Sequence, residues 1–472
     1  MKNHFFSKNA VGAFAGIVVS LTTLAAQANP TVIPTGTTLY DPQKAYNTYV
    51  IFGGQDGKAH LIDMNGNEVH RWEKSGFPTE LLDPAITGGK KGNILVQLEN
   101  GPSPYGGIFN NKSVGEVDWD GKIVWQWSGE KGDGTVRQNH DWARLPNGNT
   151  ILVTSYPHVV SGISSKPVDD QKLVEVTPDG KIVWSWIAGD HLDEIGFSKE
   201  GVELLRRVYA NSTPKSAGGF LTINDMAPIG PNKWFDEGNE LFNPENIVID
   251  SREGSFTAII EKKTGKIVWK IGPDYAIGTE ATGGTATVSN AVQRPVLQIN
   301  VPRPVDQTSG QHDAHIIPKG LPGEGNLLIF DNEGPSGYPP TRLSVQLGSR
   351  VLEINPVTKQ IVWQYTALDS GSPAWGFFSS FISSARRLPN GNTLIDEGMN
   401  GRIFQVTTQG EIVWEYISPY YGQQAFLNRN VKTNWVFRAQ PVPYDWVPDG
   451  TPHSEKAIRQ VDNSTFRVSD SQ

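Results

Sequence analysis

Residues 121–127 read GKIVWQW, and near-copies of this phrase recur along the chain. They are GNEVHRW from Gly66, GKIVWSW from Gly180, GKIVWKI from Gly265, KQIVWQY from Lys359 and GEIVWEY from Gly410. Four follow an apolar strand that runs into a polar turn: VGEVDWDG, KLVEVTPDG, VLEINPVTKQ and IFQVTTQG. Each unit reads as strand, tight turn and second strand, the second rich in Ile, Val and Trp. A lone hairpin of this kind leaves its apolar face in water, whereas copies stacked around an axis bury it. Repetition at six positions therefore predicts an all-β fold, a six-bladed β-propeller.

A different hairpin precedes most copies. It reads HDWARLPNGNTILVTSY from His140, QHDAHIIPKGLPGEGNLLIFDN from Gln311 and SSARRLPNGNTLIDEG from Ser383. Weaker versions are LLDPAITGGKKGNILVQLEN from Leu81, and INDMAPIGPNKW from Ile223 followed by NIVIDSR. Pro-Asn-Gly-Asn is turn chemistry, since Gly and Asn tolerate positive φ. The sixth such hairpin is expected from both chain ends, NTYVIFGG at Asn47 and NWVFRAQPV at Asn434. The ring is then closed by N- and C-terminal strands, with no open sheet edge. One propeller domain spans 40–443, with a C-terminal tail at 444–472. Insertions at 190–219 and 274–310 read as loops or short helices over one mouth, and GVELLRRVYA from Gly201 as the best helix.

With 50 Gly, 32 Pro and 14 Trp but 19 % charged residues, the composition suits a turn-rich β protein. A net charge of −8 argues against nucleic acid as a partner. The start reads as a secretory signal over 1–28: basic Lys2, His4 and Lys8, an apolar run over 10–24, then Ala26-Gln27-Ala28. A periplasmic protein is expected. The chain has no Cys, which excludes disulfides, thiolate catalysis and Cys-ligated zinc, and leaves no site for lipoprotein processing.

In a propeller the innermost strands line the channel, and their starts point into one mouth. His140 lies six residues before Pro146, His312 six before Pro318 and Ser383 six before Pro389, with Asn224 in nearly the same register. A single buried histidine is ordinarily structural. Two in one register converge on the axis. Strand alternation turns Asp141 and Asp313 the other way, toward a structural role, and His315 away from the channel. Arg252 ends a neighbouring strand, and Arg386, Arg387 and Arg438 are further cations within reach. Arginine offers a planar, permanently charged fork suited to sulfate or phosphate. Trp125, Trp184, Trp269, Trp363 and Trp414 are expected as core packing.

The QHDAH block, the SSARRLPNGNTLIDEG segment, NHDWARLPNGNTILV and NIVIDSREGSF resemble the bacterial arylsulfotransferase family, over most of the chain from Tyr40 to Pro443. The resemblance implies a periplasmic six-bladed propeller that passes a sulfuryl group from an aryl sulfate to a phenol through a sulfated histidine. Carried over by motif, His312 matches the nucleophile, His140 a second channel histidine, and Asn224 and Arg252 ligands of the sulfuryl oxygens. The chain departs from the family pattern at Thr222, where better-known members carry a histidine. Their N-terminal β-sandwich is not expected, because the repeats begin by Tyr49.

The chemistry suits the residues. Neutral imidazole is a nucleophile and later a leaving group. A protonated histidine is expected to protonate the departing phenol, with His140 moving that proton. No metal and no cofactor are required. The partners expected are a small-molecule aryl sulfate and a phenol, with no nucleic acid and no membrane after signal removal. A homodimer is compatible with this. The rival readings are a propeller hydrolase or lyase acting on a sulfated or anionic substrate, and a non-catalytic binding propeller. A quinone-cofactor dehydrogenase ranks below both, as no cofactor-stacking constellation is visible.

Overall fold

The computed structural model describes residues 34–459, apart from 101–108, 110, 131, 133, 198, 210–219, 273–307, 335, 337–347 and 427–428. The expected signal segment 1–28, the end of the tail, most of the 274–310 insertion and part of the 190–219 insertion lie outside the described residues.

Six antiparallel sheets stand around one axis. From the inside outward, blade 1 holds Ala439–Val442, Tyr49–Gly53, Ala59–Ile62 and Glu68–Trp72. The innermost strands of blades 2 to 6 are Glu80–Leu81, Gln138–Arg144, Ile223–Pro228, His312–Ile316 and Ser384–Arg387. In blade 1, Tyr49 pairs with Val442 and Phe52 with Ala439, so the innermost strand comes from the far end of the chain. Blade 6 carries a fifth, outer strand that the repeats did not announce: Gly36–Tyr40 pairs with Ile412–Ile417. The helix expected from Gly201 runs over Lys199–Tyr209.

The repeated tryptophans were expected in the core. They pack there, Trp269 and Trp414 buried and Trp125, Trp184 and Trp363 half-buried against core clusters, and they also close the seams between blades. An indole N–H donates across every seam to a carbonyl of the next blade's outer turn. The bonds are Trp72 to Asp118 (3.0 Å), Trp127 to Gly180 (3.2 Å), Trp186 to Gly265 (2.9 Å), Trp269 to Pro356 (2.8 Å), Trp363 to Thr408 (3.0 Å) and Trp414 to Met64 (2.7 Å). The ring covers the apolar seam while its one polar atom satisfies a turn carbonyl. That dual demand accounts for Trp in a strand that could otherwise have used Ile or Val.

The inner strands are ruled by one turn bond. A Leu or Ile amide donates to an Asn carbonyl at 2.8 Å in Leu82–Asn93, Leu145–Asn149, Ile229–Asn246, Ile317–Asn326 and Leu388–Asn392. Counting back from these amides aligns the blades. The mouth tier is Phe77, His140, Asn224, His312 and Ser383, and the next tier is Pro78, Asp141, Asp225, Asp313 and Ser384. Blade 1 joins through its seam. Ala439 N–H donates to Ser384 Oγ (3.2 Å), as Ala385 N–H does to Asp313 (3.0 Å) and Met226 N–H to Asp141 (2.9 Å). Phe437 and Arg438 thus complete the two tiers. These side chains satisfy inner-strand amides that have no neighbouring strand to pair with.

The second tier departs from the sequence reading. Asp141 and Asp313 do bond neighbouring backbone, yet they also face the axis. Arg438 donates to Asp141 (2.8 Å) and Asp225 (2.9 Å), and its Nε lies 3.3 Å from Asp313. Strict alternation fails because each strand bulges here. Register shifts fall between the partners of Gln138 and Trp142, of Ile223 and Asp225, and of His312 and His315. His140, Thr222 and Asp313 adopt positive φ of 60°, 50° and 58°. A bulge turns successive side chains toward one side. Consequently His315, expected to face away, lines the far end of the channel.

Two stability outcomes follow. Trp414→Phe keeps the ring but leaves the Met64 carbonyl with the Thr37 hydroxyl (3.2 Å) alone, at a cost of about 0.5–1.5 kcal/mol in urea unfolding. Arg438→Met leaves three buried aspartates without their cation and costs about 3–5 kcal/mol. Losses below about 0.5 kcal/mol in either variant would contradict these assignments.

Candidate functional site

His312 is held from both sides. Its Nδ1 lies 2.7 Å from Asn332 Oδ1 and 3.0 Å from the Gly310 carbonyl, while the Ile382 amide donates to its Nε2 at 3.1 Å. The Asn332 amide nitrogen donates to the Ser379 carbonyl (2.7 Å) and Ser383 Oγ (3.0 Å), so Oδ1 is the acceptor end. Nδ1 therefore carries the proton, and the Nε2 lone pair meets the Ile382 N–H. Gly334 allows this approach. A Cβ there would fall 1.8 Å from the Ser380 carbonyl, so only glycine lets the segment before Ile382 lie against blade 5.

His140 repeats the arrangement. Its Nδ1 lies 3.0 Å from Asn139 Oδ1, which also accepts from Gln171 Nε2 at 2.9 Å. The Asn139 amide nitrogen donates to Ser155 Oγ (2.7 Å). The proton again sits on Nδ1, and among the described residues no group bonds Nε2. Three phenylalanines surround the ring, with centroids 5.6 Å (Phe77), 5.5 Å (Phe109) and 6.2 Å (Phe437) away.

Burial, and next the Arg252 guanidinium, lower the pKa of each of these histidines from 6.5 to about 3. Arg438 adds to the effect on His140, and His140 itself adds to that on His312. Both rings are thus neutral at neutral pH, with Nε2 as a base or nucleophile. This corrects the expected resting acid: His140 begins as a proton acceptor.

Asn224 shares the tier. Its Nδ2 donates to the Gln311 carbonyl at 3.4 Å, and its buried Oδ1 has no partner among the described residues. Arg252 follows the outgoing strand Ile247–Ser251, its amide donating to the Thr222 carbonyl (2.8 Å) and its guanidinium meeting Glu253. Its stem passes Gly310, where a Cβ would lie 3.9 Å from it. The other arginines are committed elsewhere: Arg386 to Asp313 (2.5 Å), Arg387 to Glu353 (2.6 Å) and Arg438 to the axial aspartates.

Sequence reasoning missed Asn332, Asn139, Ile382 and the phenylalanines. Phe77 and Phe437 were legible in principle, by extending the turn register to the two blades that lack the Pro-Asn-Gly turn. Asn332 and Ile382 lie in irregular segments with no counterpart in the repeats. No group of three or more His, Asp or Glu side chains among the described residues is arranged to hold a metal ion.

The neutral histidines make the pH dependence directional. The unfolded chain binds protons near pH 6.5 that the folded chain refuses until about 3. Their contribution to stability is complete above 6.5 and is lost as the pH falls through that window. Comparing urea unfolding of the wild type and His312→Asn between pH 7 and 4 should show the steeper acid loss in the wild type. Parallel curves would disprove the neutral resting state.

Residues 51–419 match the family Arylsulfotransferase (ASST). No curated protein matches the chain in sequence. Solved structures with similar coordinates include a protein of unknown function from Bacteroides caccae, 11 % identical, covering 84 % of this chain and 99 % of that one, TM-score 0.43. Virginiamycin B lyase from Staphylococcus aureus is 12 % identical over 70 % of each chain, TM-score 0.32. Quinohemoprotein alcohol dehydrogenase from Comamonas testosteroni is 11 % identical over 85 % of this chain and 72 % of that one, TM-score 0.35. These scores are too low to bear on function.

Proposed function

The chain belongs to the arylsulfotransferase family, and from that premise we propose that it moves a sulfuryl group from an aryl sulfate to a phenol through a covalent intermediate on His312. The observation that carries the reading is the pair of neutral imidazoles in one channel tier, each with its proton held on Nδ1 by an asparagine oxygen. One supplies a nucleophile and the other a base.

In the first half, His312 Nε2 attacks sulfur. The N–S bond forms, the S–O bond breaks, and its electron pair leaves on the phenolate, which takes a proton from solvent. Arg252 and the Asn224 amide hold charge on the sulfuryl oxygens, and the Ile382 N–H, released from Nε2, has an oxygen within reach. In the second half, an acceptor phenol gives its proton to His140 Nε2 as its oxygen attacks sulfur. The N–S bond breaks and its pair returns to His312. His140 passes its proton to solvent. Phe77, Phe109 and Phe437 offer the aryl group an apolar wall. Export to the periplasm belongs to the same proposal and rests on the basic-then-apolar start of the chain and its lack of Cys.

His312→Asn should lower transfer by about three decades or more. Incubation with donor alone should add one sulfuryl group to wild-type His312, seen by intact mass and peptide mapping. His140→Asn should still take up the group but stall with weakly acidic phenols, and recover with phenols already ionised. Near wild-type transfer by His312→Asn would refute the nucleophile. Product release with no phenol added, and no adduct, would favour a hydrolase.

A further inference from the structure

Beneath the Arg438 cluster, at the mouth opposite His140 and His312, lies a cavity of about 700 Å³. Pro228, Ile316, Leu388 and Trp446 give it apolar walls. Glu80, His315 and Arg386 come from one inner-strand tier of blades 2, 5 and 6, two positions below the axial aspartates, and all three line it. The chemistry at the other mouth uses none of them.

Each presents an unused hydrogen-bonding function. Arg386 spends Nη2 on Asp313, and among the described residues nothing bonds its Nε or Nη1, with the side chain 30 % exposed. His315 Nδ1 donates to the Asp313 carbonyl (2.8 Å), which leaves Nε2 as an acceptor. Burial, and then Arg386, hold that imidazole neutral. No described residue bonds the Glu80 carboxyl. Burial, and next Asp141, push it up to about 8, so at neutral pH it meets the cavity as an uncharged donor. The floor therefore offers a cationic fork and a neutral acid beside one lone pair. An anionic acceptor satisfies the first two, and an adjacent hydroxyl satisfies the third. A carboxylate with a hydroxyl on the next carbon carries both, and the walls suit an apolar substituent.

We propose that this cavity binds a small 2-hydroxy carboxylate with an apolar side chain, its carboxylate on Arg386 and Glu80 and its hydroxyl donating to His315 Nε2. The site is independent of the transfer chemistry, and its test reads binding alone.

Mandelate serves as the probe, titrated calorimetrically into the full chain at neutral pH. Phenylacetate lacks the hydroxyl and mandelamide lacks the charge; each should bind at least about tenfold more weakly, as a site built for polar groups rejects analogues without them. Arg386→Gln should weaken mandelate by a similar factor. Because that change also disturbs Asp313, Ala227→Phe is the second variant: it fills the cavity wall without touching an ion pair and should abolish binding. Arg252→Gln, at the other mouth, should leave mandelate affinity unchanged. The proposal is overturned by no binding, by mandelamide binding as well as mandelate, by full binding to Ala227→Phe, or by loss in Arg252→Gln.

Discussion

Arg438 sits on the propeller axis with carboxylates of three blades converging on it. Removing a guanidinium and several carboxyls from water is costly, and buried ion pairs seldom repay that cost in stability alone. Here the cluster does something packing would not. Its carboxylates also accept amides from neighbouring inner strands, so the cation at the centre fixes the spacing of blades at the rim of the channel. It also divides the channel in two. Burial, and next neighbouring Asp141, raise Asp225 well above the usual carboxylate range, and burial raises Asp250 and Asp396 likewise.

The bulges that bring the aspartates to the axis also aim the histidines. Without an extra residue in the inner strands, His140 and Asp141 would lie on opposite faces of the blade, as would His312 and Asp313. With it, one residue of each pair enters the mouth and the other the axis. The price is paid in positive φ at His140, Thr222 and Asp313, where side chains are ordinarily disfavoured. Strain at the rim of a site is where local propensity and function part company.

That division marks what the sequence could reveal. Hairpins repeat because burial demands the same solution six times, so blade number and the register of His140, Asn224, His312 and Ser383 were legible in the turns. The turn register also reaches Phe77 and Phe437, but only once an inter-blade bond supplies the missing ruler. The direction of Asp141, Asp313 and His315 was misjudged because period-two reasoning has no term for a bulge. The neutral state of His140 was not legible because it comes from burial and then from Arg252 and Arg438, contributed by distant parts of the chain. Asn332 and Ile382 act through irregular backbone, where no periodicity exists to read. The seam role of the tryptophans was hidden for a similar reason: a motif shows that a residue recurs, not which neighbour receives its N–H.

The indole bonds run in one sense around the ring, each blade's fourth strand reaching the next blade's turn, and the link from Trp414 to Met64 has the same form as the others. Covalent continuity is interrupted in blade 1, yet the pattern of seam contacts is not. A linear solenoid frays from its ends, because a terminal repeat has one neighbour and an interior repeat has two. In this ring every blade has two neighbours. Opening any one blade therefore breaks two seams at once, and the first step of unfolding is as costly at the termini as in the middle. The molecule has ends as a chain but none as a solid.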